Sequence, residues 1–268
     1  MKIGIFLDHL RVASDQTGKS LEETALEAAG LGIECVHVNG EFWMANEQRV
    51  DDLLQKAGLY VEAADGFFSL TQGKDIEKAE EMIRFLSAKN VRHLLMIPGF
   101  MHEAQSRASA MDESVRWLKG LCYLARGLHV QCSMEDFDHA SAPYGTWQDL
   151  KWYTEQLSDM KVCFDTGNFI YFDQNVQEAY EQLASKICMV HLKDRALVGR
   201  EGERPVCTPN GKKLYPCAVG SGVIPITDVL CRLKKDDFRG CVMIEHFDSA
   251  DMMADIRASA QWLHEQLN

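Results

Sequence analysis

Four short apolar runs in this chain end abruptly in side chains that bind cations or carry protons. They are QCSMED (131–136), KVCFDTGN (161–168), ICMVHLKDR (187–195) and CVMIEH (241–246), each followed by a helix-like segment. Each reads as a buried strand that delivers chemistry at its end, with Glu135, Asp165, His191 and Glu245 as the residues delivered. Three carboxylates and one imidazole suit one divalent ion and leave room for a substrate's oxygens. The oxygen-rich set favours Mn²⁺ or Mg²⁺, with Co²⁺ and Zn²⁺ also compatible. Two carboxylates on different strands can also face a bound substrate from opposite sides, each taking or giving one proton.

Side chains alternate along a strand, so the four candidates can be tested for a shared inward phase. Gln131, Ser133 and Glu135 form one row, Cys163 and Asp165 a second, Ile187, Met189, His191 and Lys193 a third, and Cys241, Met243 and Glu245 a fourth. The opposite phase would point Asp136, Thr166, Leu192 and His246 inward, a chemically poorer set. Strands apolar on both faces do not let parity alone decide. Asp165 could instead cap the turn into the next helix, and His191 by itself could be a satisfied core histidine. Glu135 and Glu245 resist such readings, because glutamate is almost never fully buried unpaired.

The elements that position these residues alternate along the whole chain. Residues 3–7 read as the first strand, followed by a polar loop and a helix in which Leu21, Ala25, Leu26 and Ala29 recur at helical spacing behind a Ser20 cap with Glu23 three residues on. Further strands are expected at 33–38, 60–70, 91–97, 130–134, 162–164, 187–190 and 242–244. Further helices are expected at 47–57, 76–89, 108–126, 146–157, 176–184, 226–233 and 252–267. Eight strands alternating with eight helices predict an α/β fold, a (β/α)8 TIM barrel in a single domain over 1–268. A doubly wound open sheet is the other architecture, but no Gly-rich fingerprint follows the first strand. The one long irregular segment, 196–222, follows a strand and is expected to fold over the site as a lid or a partner surface.

Composition narrows the function classes. The 268 residues are 46% hydrophobic and 25% charged, with no apolar run near the ~20 residues a membrane helix needs. The opening MKIGIFLDHL has too short an apolar core for a signal peptide. A formal charge of -12 weighs against nucleic acid as a partner. Of nine cysteines, Cys35, Cys132, Cys163, Cys188 and Cys241 sit in apolar runs, and no paired Cys/His spacing suggests structural zinc. A reduced, cytoplasmic protein is expected, with Cys207 and Cys217 the only pair worth testing for bonding.

At the strand ends the sequence resembles the xylose isomerase-like TIM barrel superfamily of sugar isomerases and epimerases, which also includes hydroxypyruvate isomerase, inosose dehydratase and endonuclease IV. The resemblance rests on Glu135 in MEDF, Asp165 in FDTGN, His191 in VHLKD and Glu245 in MIEH, and it spans essentially the whole chain. It implies that these four hold the metal, that Glu135 and Glu245 also transfer protons, and that deprotonation beside a carbonyl gives an enediolate. Reprotonation then isomerises or epimerises a small sugar, sugar derivative or keto-acid. Loss of a hydroxyl would instead make the protein a lyase, acting on a keto-inositol or cleaving an oxidised glycoside. A non-catalytic binding subunit is a third reading and a DNA-repair nuclease a fourth. Homo-oligomers are common in the family, so the resemblance is compatible with one.

Other residues are candidates for substrate contact. Arg195 follows His191 closely, and Asn168 stands where many sugar epimerases of this type carry His. A neutral amide binds a hydroxyl but does not act as an acid near neutrality. His102 lies in the loop after the fourth strand, with His9, His37, His139 and His246 near other predicted strand ends or loops. Phe42, Trp43, Phe100 and Met101 could wall a sugar ring. The family's Gly-Glu-Gly motif appears here as Gly220-Ser221-Gly222.

Overall fold

The computed structural model describes residues 1–267. The apolar runs form β1 (Lys2–Phe6), β2 (Cys35–Asn39), β3 (Tyr60–Phe67), β4 (His93–Ile97), β5 (Gln131–Met134), β6 (Lys161–Asp165) and β7 (Ile187–Lys193). Three short strands follow, β8 (Arg195–Ala196), β9 (Val206–Cys207) and β10 (Lys213–Pro216), and then β11 (Cys241–Glu245). β1 to β7 and β11 pair in parallel and close on themselves, β11 lying between β7 and β1. This is the (β/α)8 TIM barrel the alternation predicts. Closure leaves no exposed edge in that sheet.

Helices wrap the barrel: α1 (Leu7–Thr17), α2 (Leu21–Gly30), α3 (Gly40–Ala45), α4 (Glu47–Ala57), α5 (Ile76–Ala88), α6 (Arg107–Gly127), α7 (Trp147–Gln156), α8 (Val176–Leu183), α9 (Ile226–Lys235) and α10 (Met252–Leu267). None is long and apolar enough to cross a membrane. Local chemistry accounts for their starts. Ser20 and Glu23 make the expected reciprocal capping box on α2, and Thr146 with Asp149 makes another on α7.

Two helices are additional to the expected eight. The segment read as a polar loop after β1 is α1, because Leu7, Leu10 and Ala13 bury one face and Gly18, at φ 71°, ends the helix in the left-handed conformation. The second is α3, started by the Asn39 side chain, which accepts from the Phe42 backbone N–H. That helix turns Trp43 into the core, where its indole N–H donates to Asp51, so Trp43 is not available as a sugar platform.

The segment 196–222 is also more ordered than its composition suggests. β8, β10 and β9 form a small antiparallel sheet, and Arg200 anchors the segment by ion pairs to Glu203 and Asp255. All nine cysteines are free, Cys207 and Cys217 included.

Candidate metal centre

Strand register explains why distant residues meet at the C-terminal face of the barrel. Asp165 on β6 is level with His191 on β7, Met243 on β11 is level with His191, and Glu245 is level with Lys193. Glu135 follows the last residue of β5 directly. Asp165, His191 and Glu245 each offer one ligand atom within 4.8 Å of the others, and Glu135, Cys163 and His191 make a second such group. His191 belongs to both. Its Nδ1 lies 2.9 Å from Glu135 Oε2 and 3.2 Å from Glu245 Oε2.

Lys193, one inward step beyond His191, completes the cluster. Its ammonium lies 2.7 Å from Asp165 Oδ2 and 2.5 Å from Glu245 Oε1, and it donates to Asn168 Oδ1 at 2.9 Å. The row of β7 already held the signal for Lys193, since it shares the phase of His191. Asn168 in turn donates to the Asp136 carbonyl, which ties the β6 loop to the β5 loop. Gly167 permits this closeness: a Cβ there would lie 2.6 Å from the Lys193 carbonyl oxygen.

The electrostatics follow from burial and these neighbours. Burial works against an ionised Glu245, yet the Lys193 ammonium and the His191 ring beside it hold its carboxyl well below the usual carboxylate range. Burial pushes the Asp165 carboxyl up to about 7, with Lys193 pulling the other way and Glu245 and Glu135 adding to the rise. Burial also disfavours charge on His191, but Cys163, Glu135 and Glu245 facing the ring lift it well above the ordinary imidazole range. The Cys163 thiol is raised by burial, which keeps it a poor ligand beside the carboxylates.

Four buried atoms here lack an aligned hydrogen-bond partner: Glu135 Oε2, Asp165 Oδ2, His191 Nδ1 and Glu245 Oε2. One atom comes from each of the four residues singled out by the strand ends. Leaving even one buried polar atom unpaired costs about 1–3 kcal/mol, and a divalent cation would satisfy such atoms together. A donor set of three carboxylates and one imidazole fits Mn²⁺, Mg²⁺, Co²⁺ or Zn²⁺.

A cavity of about 340 Å³ opens above the cluster. Glu135, Asn168, Lys193, Arg195 and Glu245 line it, with Phe6, Phe67, Phe137 and Phe247 as apolar wall and Val206 contributed by the 196–222 segment. Asp165 and His191 lie deeper and are fully buried. Arg195 is committed to Asp138 in a close ion pair. His102 is exposed in the loop after β4 and is not among the cavity's lining residues. Phe42, Trp43, Phe100 and Met101 do not line it either; Phe100 instead backs Phe137 at 5.3 Å between ring centres. Asp136 and His246, on the opposite strand phase, are buried but outside the lining.

Asp194, between Lys193 and Arg195, is a structural clip. Its Oδ2 accepts from the backbone N–H groups of Gly220 and Gly222, and its Oδ1 accepts from those of Ile224 and Arg195. A Cβ at Gly222 would lie 2.2 Å from Asp194 Oδ1, so the second glycine of Gly220-Ser221-Gly222 is required by close approach. Replacing Asp194 by Ala strands four donors and is expected to lower stability by about 3 kcal/mol, read as a shifted urea midpoint at unchanged slope.

A model of the xylose isomerase-like TIM barrel family matches residues 25–266. The chain belongs to that family. No match is found among curated proteins. Solved structures of the same architecture superpose along nearly the whole chain. The IolI protein with a bound zinc atom is 17% identical, with 100% of this chain and 96% of that one covered at a TM-score of 0.74. The 3-keto-D-glucoside 4-epimerase YcjR from E. coli is 17% identical, with 99% of each chain covered and a TM-score of 0.72. The probable 3-DHS dehydratase AsbF from Bacillus anthracis is 13% identical, with 98% and 99% covered and a TM-score of 0.74. At such identities these likenesses carry the barrel of the xylose isomerase-like family and not a substrate.

Proposed function

We propose that this protein is a metal-dependent isomerase or epimerase of a small, uncharged sugar or sugar derivative. The observation that carries the reading is the convergence of four buried ligand atoms, none with an aligned hydrogen-bond partner, beneath a cavity flanked by Glu135 and Glu245. Glu135, Asp165, His191 and Glu245 would hold the ion. A bound divalent ion supplies charge that polarises a carbonyl and steadies negative charge on its oxygen. Ionised Glu245 is placed to take a proton from the carbon beside that carbonyl, and Glu135, just past the end of β5, to hold or return one. Asn168 has an amide donor to offer a substrate hydroxyl, and the four phenylalanines exclude water from an exposed carbanion.

Cavity charge favours an uncharged sugar over a keto-acid. Six carboxylates line the cavity (Asp8, Asp65, Glu135, Asp138, Glu245 and Asp248) against two cations, Lys193 and Arg195. Both cations are already engaged, Lys193 by Asp165 and Glu245 and Arg195 by Asp138. A phosphate or carboxylate would therefore meet no free positive side chain. The neighbours support the class, since they include a keto-glucoside epimerase and an IolI protein that binds zinc. The dehydratase among them keeps the lyase reading alive, because the proton-abstraction step is shared.

The test is a panel of neutral ketoses and keto-glycosides, with phosphorylated and carboxylated counterparts, incubated with Mn²⁺-loaded protein in deuterated water. Deuterium is expected beside the carbonyl of a neutral member and in none of the anionic ones. Exchange confined to anionic members would overturn the charge argument. No exchange by protein holding a full equivalent of metal would turn the reading to a binding subunit.

A further inference from the structure

On the Nε2 side of His191, two buried side chains continue away from Glu135 and Glu245. His37, on β2 and fully buried, places Nδ1 3.3 Å from His191 Nε2. The other nitrogen of His37, Nε2, lies 3.3 Å from Asp65 Oδ1 on β3, at ion-pair distance though without the alignment of a hydrogen bond. Asn39 donates to the second oxygen of Asp65 at 2.9 Å, and the Phe6 ring stacks on His37 at 4.5 Å between centres. The sequence places these residues on two other strands, with nothing local to link them to His191.

The chain of contacts has a direction. A carboxylate oxygen facing one imidazole nitrogen attracts the ring proton to that nitrogen, so Asp65 favours His37 carrying its proton on Nε2. A neutral His37 then presents a lone pair at Nδ1. The short contact with His191 becomes a hydrogen bond only if His191 donates from Nε2. A neutral His191, the form a bound cation requires, is then left with its Nδ1 lone pair toward Glu135 and Glu245.

The relay matters because the cavity side pulls the other way. Glu135 and Glu245, at 2.9 and 3.2 Å from Nδ1, attract a proton to that nitrogen. A neutral His191 without the relay would carry its proton on the ligand atom and be unable to bind metal. We propose that Asp65 and His37 are positioning residues that hold His191 as the Nε2–H tautomer and so present Nδ1 as a ligand. The proposal rests on the metal-centre reading above and adds the device that orients its one nitrogen donor.

The experiment combines ¹⁵N-histidine NMR with calorimetric binding of Zn²⁺ and Mn²⁺ to the full chain. In wild type, metal-free His37 is expected as the Nε2–H form, and Zn²⁺-loaded His191 as Nδ1-bound with its Nε2 proton retained. Asp65→Asn, which removes the acceptor-only end, is expected to release the His37 preference and weaken both ions about 10- to 100-fold. His37→Phe is expected to weaken them similarly. His37→Asn, whose amide can accept from His191 and donate to Asp65, is expected to recover most of the affinity. Wild-type tautomers and affinities within about twofold in Asp65→Asn and His37→Phe, far below the usual effect of such partners, would overturn the relay while leaving the metal centre standing. A wild-type chain that binds neither ion would overturn the metal centre, and the relay's purpose with it.

Discussion

Turnover by a Glu245→Gln variant is expected to fall by about 10²–10⁴-fold, the usual contribution of a positioned proton-transfer group. Gln keeps the volume of Glu and an oxygen that can face a cation, but it takes up no proton. The loss would therefore report on proton transfer more than on shape. In the folded protein the Glu245 carboxyl is held ionised by Lys193 and His191 against the effect of burial, which is the state a base requires. Glu135→Gln is expected to cost a similar factor from the other carboxylate. If the two act on different faces of the substrate, each variant alone should still exchange the proton its surviving partner handles, so deuterium uptake would outlast net conversion. Unaltered turnover in Glu245→Gln would remove it from the acid/base role. Asp136→Asn and His246→Gln, outside the cavity lining, serve as controls whose effect on turnover should be far smaller.

Metal content is the second large effect. Purified protein reconstituted with Mn²⁺ is expected to retain about one equivalent, as a single site of this donor set would hold, and His191→Ala to retain none after desalting. His191 is the residue common to both ligand groups, and its Nδ1 faces two of the three carboxylates. Without it the carboxylates are left to repel one another, with Lys193 as the remaining buried counter-charge in contact with Asp165 and Glu245. Elemental analysis of the two proteins side by side decides the matter. Wild-type protein that neither carries metal nor takes up added Mn²⁺ would remove the centre and leave the barrel without a function assigned to its mouth.

Much of this architecture is legible in the sequence alone. A short apolar run that stops at a charged residue is a local pattern, and in a parallel barrel every such stop lies at the same end. Glu135, Asp165, His191 and Glu245 could therefore be named from four separate segments, and the strand alternation already put Lys193 in the row of His191. Helix α1 reads as a loop although its apolar spacing is present, because Asp8, Arg11, Ser14 and Asp15 give the segment a loop's polarity.

The sequence by itself determined the barrel, its strand ends and the residues delivered there, since periodicity and the burial cost of charge act within a few residues along the chain. Only the tertiary structure decided their partners. That Lys193 sits between Asp165 and Glu245 depends on the register of β6, β7 and β11. That His37 and Asp65 stand on the Nε2 side of His191, that Arg195 is taken by Asp138, and that Phe6, Phe67, Phe137 and Phe247 rather than Trp43 line the cavity depend on closure of the whole ring. Contacts of that kind join residues separated by scores of positions, and they are set by how eight strands stagger when they close, which no short stretch of sequence encodes.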